Sequence, residues 1–67
     1  MSMPSFSFIE RMRRVYYGRE MLFWAEHGTW LVGPERIKEG SASDREASRI
    51  RAERQGFVFI DVSVICE

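Results

Sequence analysis

A chain of 67 residues with one cysteine and one histidine has room for a single domain, residues 1–67, and cannot form an intrachain disulfide or a tetrahedral zinc site. Residues 1–33 carry four arginines and three glutamates, and residues 34–67 carry six basic and seven acidic side chains, so the net charge is zero and neither half is a basic arm. A domain this small buries only about 60% of its unfolded surface, so its apolar residues, 45% of the chain with five Phe, two Trp and two Tyr, must fill a dense core or face a partner.

The opening Met-Ser-Met-Pro has no basic segment ahead of an apolar run and does not read as a signal peptide. Residues 6–13 stay open between two readings. As a helix, Ser7-Phe8-Ile9-Glu10 is a possible capping box, and Phe8, Ile9, Met12, Val15 and Tyr16 share one face before a stop at Gly18. As a strand, Phe6 and Phe8 alternate well, but Glu10 and Arg14 then share a face with Met12 and Tyr16. The high β-propensity of Val15-Tyr16-Tyr17 tilts residues 14–17 toward a strand that opens a meander through Gly18-Arg19.

Residues 20–26 and 29–32 are rich in aromatic and β-branched side chains, and the spacing predicts a β-hairpin with His27-Gly28 as its two-residue turn. Gly33-Pro34 ends the second strand, because proline cannot continue a ladder. Residues 34–39 are expected to form a short helical turn, followed by a flexible Gly40-Ser41-Ala42-Ser43 loop.

Ser43-Asp44-Arg45-Glu46 fits a capping box, and the helix it starts should run over about 44–55 and stop at Gly56 in the left-handed conformation. Its apolar stripe is thin: Ala47 and Ile50, flanked by the stems of Arg51 and Arg54. A strand over about 57–66 follows. Val58, Ile60, Val62, Val64 and Cys66 point one way, and Phe57, Phe59, Asp61, Ser63 and Ile65 the other. The aliphatic face should lie at the centre of the core and the strand at the centre of its sheet. The expected fold is α+β: a small antiparallel sheet, as a hairpin or three-strand meander, with the helix across one face and the C-terminal strand returning to it.

The residues offer little for catalysis. A nucleophile needs a base and an orienting group, yet Cys66 sits on an aliphatic strand face and His27 in a predicted turn. Asp61, mid-strand between Ile60 and Val62, is expected to be solvated or paired with an arginine of the helix. Every glycine has a turn or cap to explain it, so no phosphate-cradling loop is present. No enzymatic activity, cofactor or metal is expected. The longest apolar run, Met21–Ala25, is far short of the roughly 20 residues a membrane span requires, and a lone thiol fits a reducing compartment, which points to the cytoplasm.

What remains is contact with other macromolecules. Interfaces are enriched in Trp, Tyr, Phe, Met and Arg and poor in Lys, and nine of the ten basic residues here are arginine. The expected function is a non-catalytic protein-binding module, acting on another protein or by self-association as a homodimer, with Tyr16, Tyr17, Arg19, Trp24 and Trp30 as its contact residues. Small orphan domains of this kind include accessory proteins of phages or mobile elements that inhibit a host complex such as a defence system. The alternative is a small nucleic-acid-binding domain in which Arg11, Arg13, Arg14 and Arg19 surround stacking tyrosines. Balanced charge weighs against it, since affinity grows with the number of phosphates neutralised.

Overall fold

The computed structural model describes residues 4–64. Its elements run α1 (Phe6–Val15), β1 (Met21–Ala25), β2 (Gly28–Val32), β3 (Ile37–Glu39), α2 (Arg45–Gln55) and β4 (Val58–Asp61). The α+β class, the hairpin, the second helix with its left-handed Gly56 stop (φ 78°) and the returning strand are as the sequence predicts. One sheet holds all four strands in the order β3-β2-β1-β4. β2 is antiparallel to both its neighbours, whereas β4 lies parallel to β1, so the sheet is mixed. The connection dictates this. β3 runs in the same direction as β1, and α2 carries the chain back across the sheet so that β4 runs that way too.

Residues 14–17 are not a strand: helix α1 extends through Val15. Its cap is Ser5, whose side chain accepts a hydrogen bond from the Phe8 N–H at 3.2 Å, two residues before the predicted box at Ser7. Glu10 is committed instead to Arg13, 2.7 Å away. Arg13 and Arg14 occupy the last turn, where the macrodipole favours positive charge. Phe8 and Ile9 are fully buried and Met12 and Tyr16 pack beside them, while Val15, expected on the same face, is exposed. Tertiary burial therefore overrides the β-propensity of Val15-Tyr16-Tyr17. The sheet face built from Met21, Phe23, Ala25, Trp30, Val32 and Ile60 needs an apolar cover, and α1 supplies it.

Within the hairpin Ala25 pairs with Gly28, so the two-residue loop is Glu26-His27, one position earlier than predicted. Gly28 opens β2 at φ 154°, and a side chain there would bring Cβ within 3.2 Å of the Gly40 carbonyl. The segment expected as a helical turn, residues 34–39, contains β3 instead. The Gly33 N–H donates to the Arg36 carbonyl at 2.9 Å, and this tight reversal sets Ile37 opposite Val32.

Asp44 rather than Ser43 caps α2, its Oδ1 accepting from the Ala47 N–H at 3.1 Å. Glu46 and Glu53 both engage Arg49 on the solvent side, and the Arg49 guanidinium holds the Glu46 carboxyl below the usual carboxylate range. The buried side of α2 is Ser48 and Ala52, small residues that let the helix lie close to β1 and β4. Strand pleating separates the two layers. Leu22, Trp24, Leu31, Phe59 and Asp61 are in register on the α2 side, opposite the α1 side.

β4 is shorter than the predicted strand and lies at the edge of the sheet, not at its centre. Ile60 is buried and Val58 and Val62 are half-buried, while Val64 is exposed. Ile65 and Cys66, assigned to this strand from the sequence, lie outside the described residues. An edge strand has a neighbour on one side only, so the centre of the core passes to the hairpin and α1: Phe8, Ile9, Met21, Phe23 and Val32 are the largest fully buried side chains. Phe8 and Phe23 meet edge to face at 5.8 Å between ring centroids. Among the described residues no helix is long and apolar enough to cross a membrane.

Candidate functional site

The turn after α1 builds the site. The Tyr16 N–H still donates to the Met12 carbonyl at 2.9 Å, and the Arg19 N–H donates back to the Tyr16 carbonyl at 3.0 Å. Gly18 permits this reversal with φ 77°. The chain thus leaves the helix in a tight loop that turns Tyr16 partly onto the core and sends Tyr17 outward, 90% exposed. Across from it stands the Gly33-Pro34 corner between β2 and β3. Arg13, Tyr16, Tyr17, Gly18, Arg19, Gly33 and Pro34 line a concavity of about 250 Å³ between the two turns.

Two arginines fasten the concavity to the fold. Arg13 donates through Nη1 to Glu10 and through Nη2 to the Gly33 carbonyl, at 2.7 and 3.3 Å, tying α1 to the far wall. Arg19 donates through Nη2 to the Gly56 carbonyl at 2.9 Å, which is the C-cap of α2. No carboxylate of the described residues pairs with Arg19. Its charge is therefore positioned yet uncompensated at the rim.

Of the predicted contact residues, Tyr16, Tyr17 and Arg19 come together here. Trp24 and Trp30 do not. They are 7% and 4% exposed, one under α2 and the other in the α1 core, because β1 has a helix over each face and the Trp30 side of β2 lies under α1. The Trp24 indole N–H is buried without a partner among the described residues. The four arginines of the nucleic-acid alternative are dispersed: Arg13 and Arg19 are tied as above, Arg11 lies over the Phe8 ring at 5.9 Å, and Arg14 is exposed. Pro34 and Gly33 were not foreseen as site residues. Their only sequence signal was that of a strand terminator, and the long-range bond from Arg13 brings them to Tyr16.

Asp61 has the arginine partner expected of it. Arg45, at the start of α2, makes an ion pair with its carboxylate and lies 5.7 Å over the Phe59 ring, while Ser63 donates both its hydroxyl and its N–H to Oδ1, at 2.7 and 3.1 Å. Burial pushes this carboxyl up, but the hydrogen bonds from Arg45 and Ser63 and the Arg45 charge outweigh it and hold it below its ordinary value. A carboxyl lowered in the folded state stabilises the fold fully above its unfolded value of about 3.9, and that contribution is lost as pH falls through the lower folded value. Asp61→Asn is therefore expected to cost about 1–2 kcal/mol at neutral pH. The difference between variant and wild type should then shrink in thermal melts as pH falls below about 3.9 and through the lower folded-state value.

Among the described residues no group of three His, Cys, Asp or Glu side chains gathers in a way that could hold a metal ion. His27 is exposed in the hairpin loop. Compared with known proteins, the chain matches no family, no curated protein and no solved structure.

Proposed function

We propose that this domain is a non-catalytic protein-binding module of the cytoplasm whose contact surface is the concavity between the α1–β1 turn and the Gly33-Pro34 corner. One observation carries the reading: Tyr17, an aromatic side chain, stands almost wholly in solvent on a rigid turn, beside Tyr16, Pro34 and the uncompensated Arg19. Tyrosine and arginine are enriched among the side chains that anchor interfaces: tyrosine buries much area at little conformational cost, and arginine adds a planar fork of hydrogen-bond donors. Occupying a surface in this way is also how a phage or mobile-element accessory protein inhibits a host complex, and that role stays within the proposal. Phosphate binding through Arg11, Arg13, Arg14 and Arg19 has less support, since two of these guanidiniums already serve the fold.

The test compares the wild-type chain with Tyr17→Ala. An exposed side chain outside the core changes stability by no more than about 0.5 kcal/mol, so the melting temperature should hold. Retention of a specific protein partner, or self-association in sedimentation equilibrium, should weaken by about tenfold or more. A partner held equally well by Tyr17→Ala would remove this surface from the proposal. Steeply salt-dependent binding to nucleic acid, lost on Arg13→Ala with Arg14→Ala, would replace it.

A further inference from the structure

The other face of the sheet carries a second, independent site. Because α2 lies over β1 and β4, the β2–β3 half of that face is left uncovered. A groove of about 120 Å³ opens there between α2 and β3, with Leu22, Leu31 and Phe57 as its apolar floor. Lys38 from β3 and Arg51 from α2 stand on its two walls, and Thr29, Gln55, Glu39 and Gly40 also line it.

The charge on this groove is one-sided. Lys38 is in register with Leu31 and so shares the α2 side of the sheet. Glu39, the acidic residue nearest in the strand, is in register with Trp30 and its side chain belongs to the opposite face. Neither Lys38 nor Arg51 makes an ion pair or side-chain hydrogen bond with any described residue, and the Thr29 hydroxyl likewise has no partner among them. The other arginines of α2 that point to acids are already satisfied: Arg45 by Asp61 and Arg49 by Glu46 and Glu53. Two cations and a hydroxyl without partners among the described residues thus line the same groove over an apolar floor, and Glu39, the one acidic residue of its lining, has its side chain on the other face of the strand.

We propose that this groove binds a small amphipathic carboxylate, its apolar body on Leu22, Leu31 and Phe57 and its carboxylate held by Lys38, Arg51 and the Thr29 hydroxyl. Two cations from opposite walls match a single anionic head, since charge-assisted hydrogen bonds are the strong ones. The apolar floor discriminates against an anion that has no body to bury.

Hexanoate is the probe, read by amide chemical shifts of the intact chain. Saturable shifts are expected at Thr29, Leu31, Lys38 and Phe57 in the millimolar range. Acetate, which keeps the head and lacks the body, and hexanol, which keeps the body and lacks the charge, should each bind about tenfold more weakly. Lys38 and Arg51 are exposed, so Lys38→Gln with Arg51→Gln should leave the fold intact and weaken hexanoate about tenfold. Arg14→Gln, a loss of positive charge elsewhere, should leave binding unchanged. Equal binding of hexanol and hexanoate, equal binding of acetate and hexanoate, an unaffected double variant, or the absence of saturable shifts would each overturn the assignment. The groove shares no residue with the Tyr17 concavity, so failure at one site says nothing against the other.

Discussion

Phe23→Ala is expected to leave the domain largely unfolded at 37 °C, the most damaging single change considered. Phe23 is fully buried in the central pair of strands, β1 and β2, where it is in register with Trp30 and Ile60 and meets Phe8 of α1 edge to face. Truncating a buried phenylalanine costs about 3–5 kcal/mol, from lost transfer energy and from the cavity left behind. A domain of this size commands on the order of 3–10 kcal/mol in total, and its single cysteine allows no intrachain disulfide to supplement it. The cost is thus comparable with everything the fold has. Circular dichroism and the amide spectrum should show loss of helix and of dispersed signals together, since α1 packs on the sheet face that Phe23 helps to build. A cooperative melt near that of the wild type would show that α1 is held by something other than the Phe8–Phe23 pair.

The second large effect separates core from interface. Trp30→Ala is expected to cost a similar 3–5 kcal/mol, because Trp30 lies within the same cluster as Phe8, Phe23 and Val32. Any loss of partner binding in Trp30→Ala should therefore accompany loss of fold, whereas Tyr17→Ala should lose binding with the fold retained. Trp24 is a sharper probe of its own environment. Its indole N–H is buried with no partner among the described residues, so Trp24→Phe keeps most of the ring and removes that donor. Leaving a buried donor unsatisfied costs about 1–3 kcal/mol, and relief of that cost offsets the lost volume. Chemical denaturation should place Trp24→Phe within about 1 kcal/mol of wild type and Trp30→Ala far below it. Comparable destabilisation by both would mean that the Trp24 N–H has a partner in solution.

Parts of this protein were legible because their causes are local. Gly56 closes α2 since only glycine enters the left-handed region without a Cβ penalty, and Asp61 met an arginine because a carboxylate among aliphatic neighbours needs one. The two capping boxes were read one or two residues out of place, as Ser5 and Asp44 do the capping. More than one Ser or Asp stands near the start of each helix, Ser5 and Ser7 at α1 and Ser43 and Asp44 at α2, and the choice among them depends on where the packed face must begin. The candidate site was half legible. Tyr16, Tyr17 and Arg19 are adjacent in the chain and remain together, but Trp24 and Trp30 looked equally suited to an interface by residue type alone.

By itself the sequence determined the α+β class, a hairpin, a helix ending at Gly56 and a strand after it. Hydrophobic period, glycine and proline punctuation and short-range capping act within a few residues, so they can be read along the chain. Only the tertiary structure decided that α1 is a helix through Val15, that β4 joins the edge parallel to β1, and that both tryptophans are buried while Tyr17 is not. Those outcomes depend on which faces of the sheet receive cover, and cover comes from residues far apart in sequence. The same reason keeps the Lys38–Arg51 groove out of sight in the chain: α2 must be placed over one half of the sheet before the other half is seen to be bare.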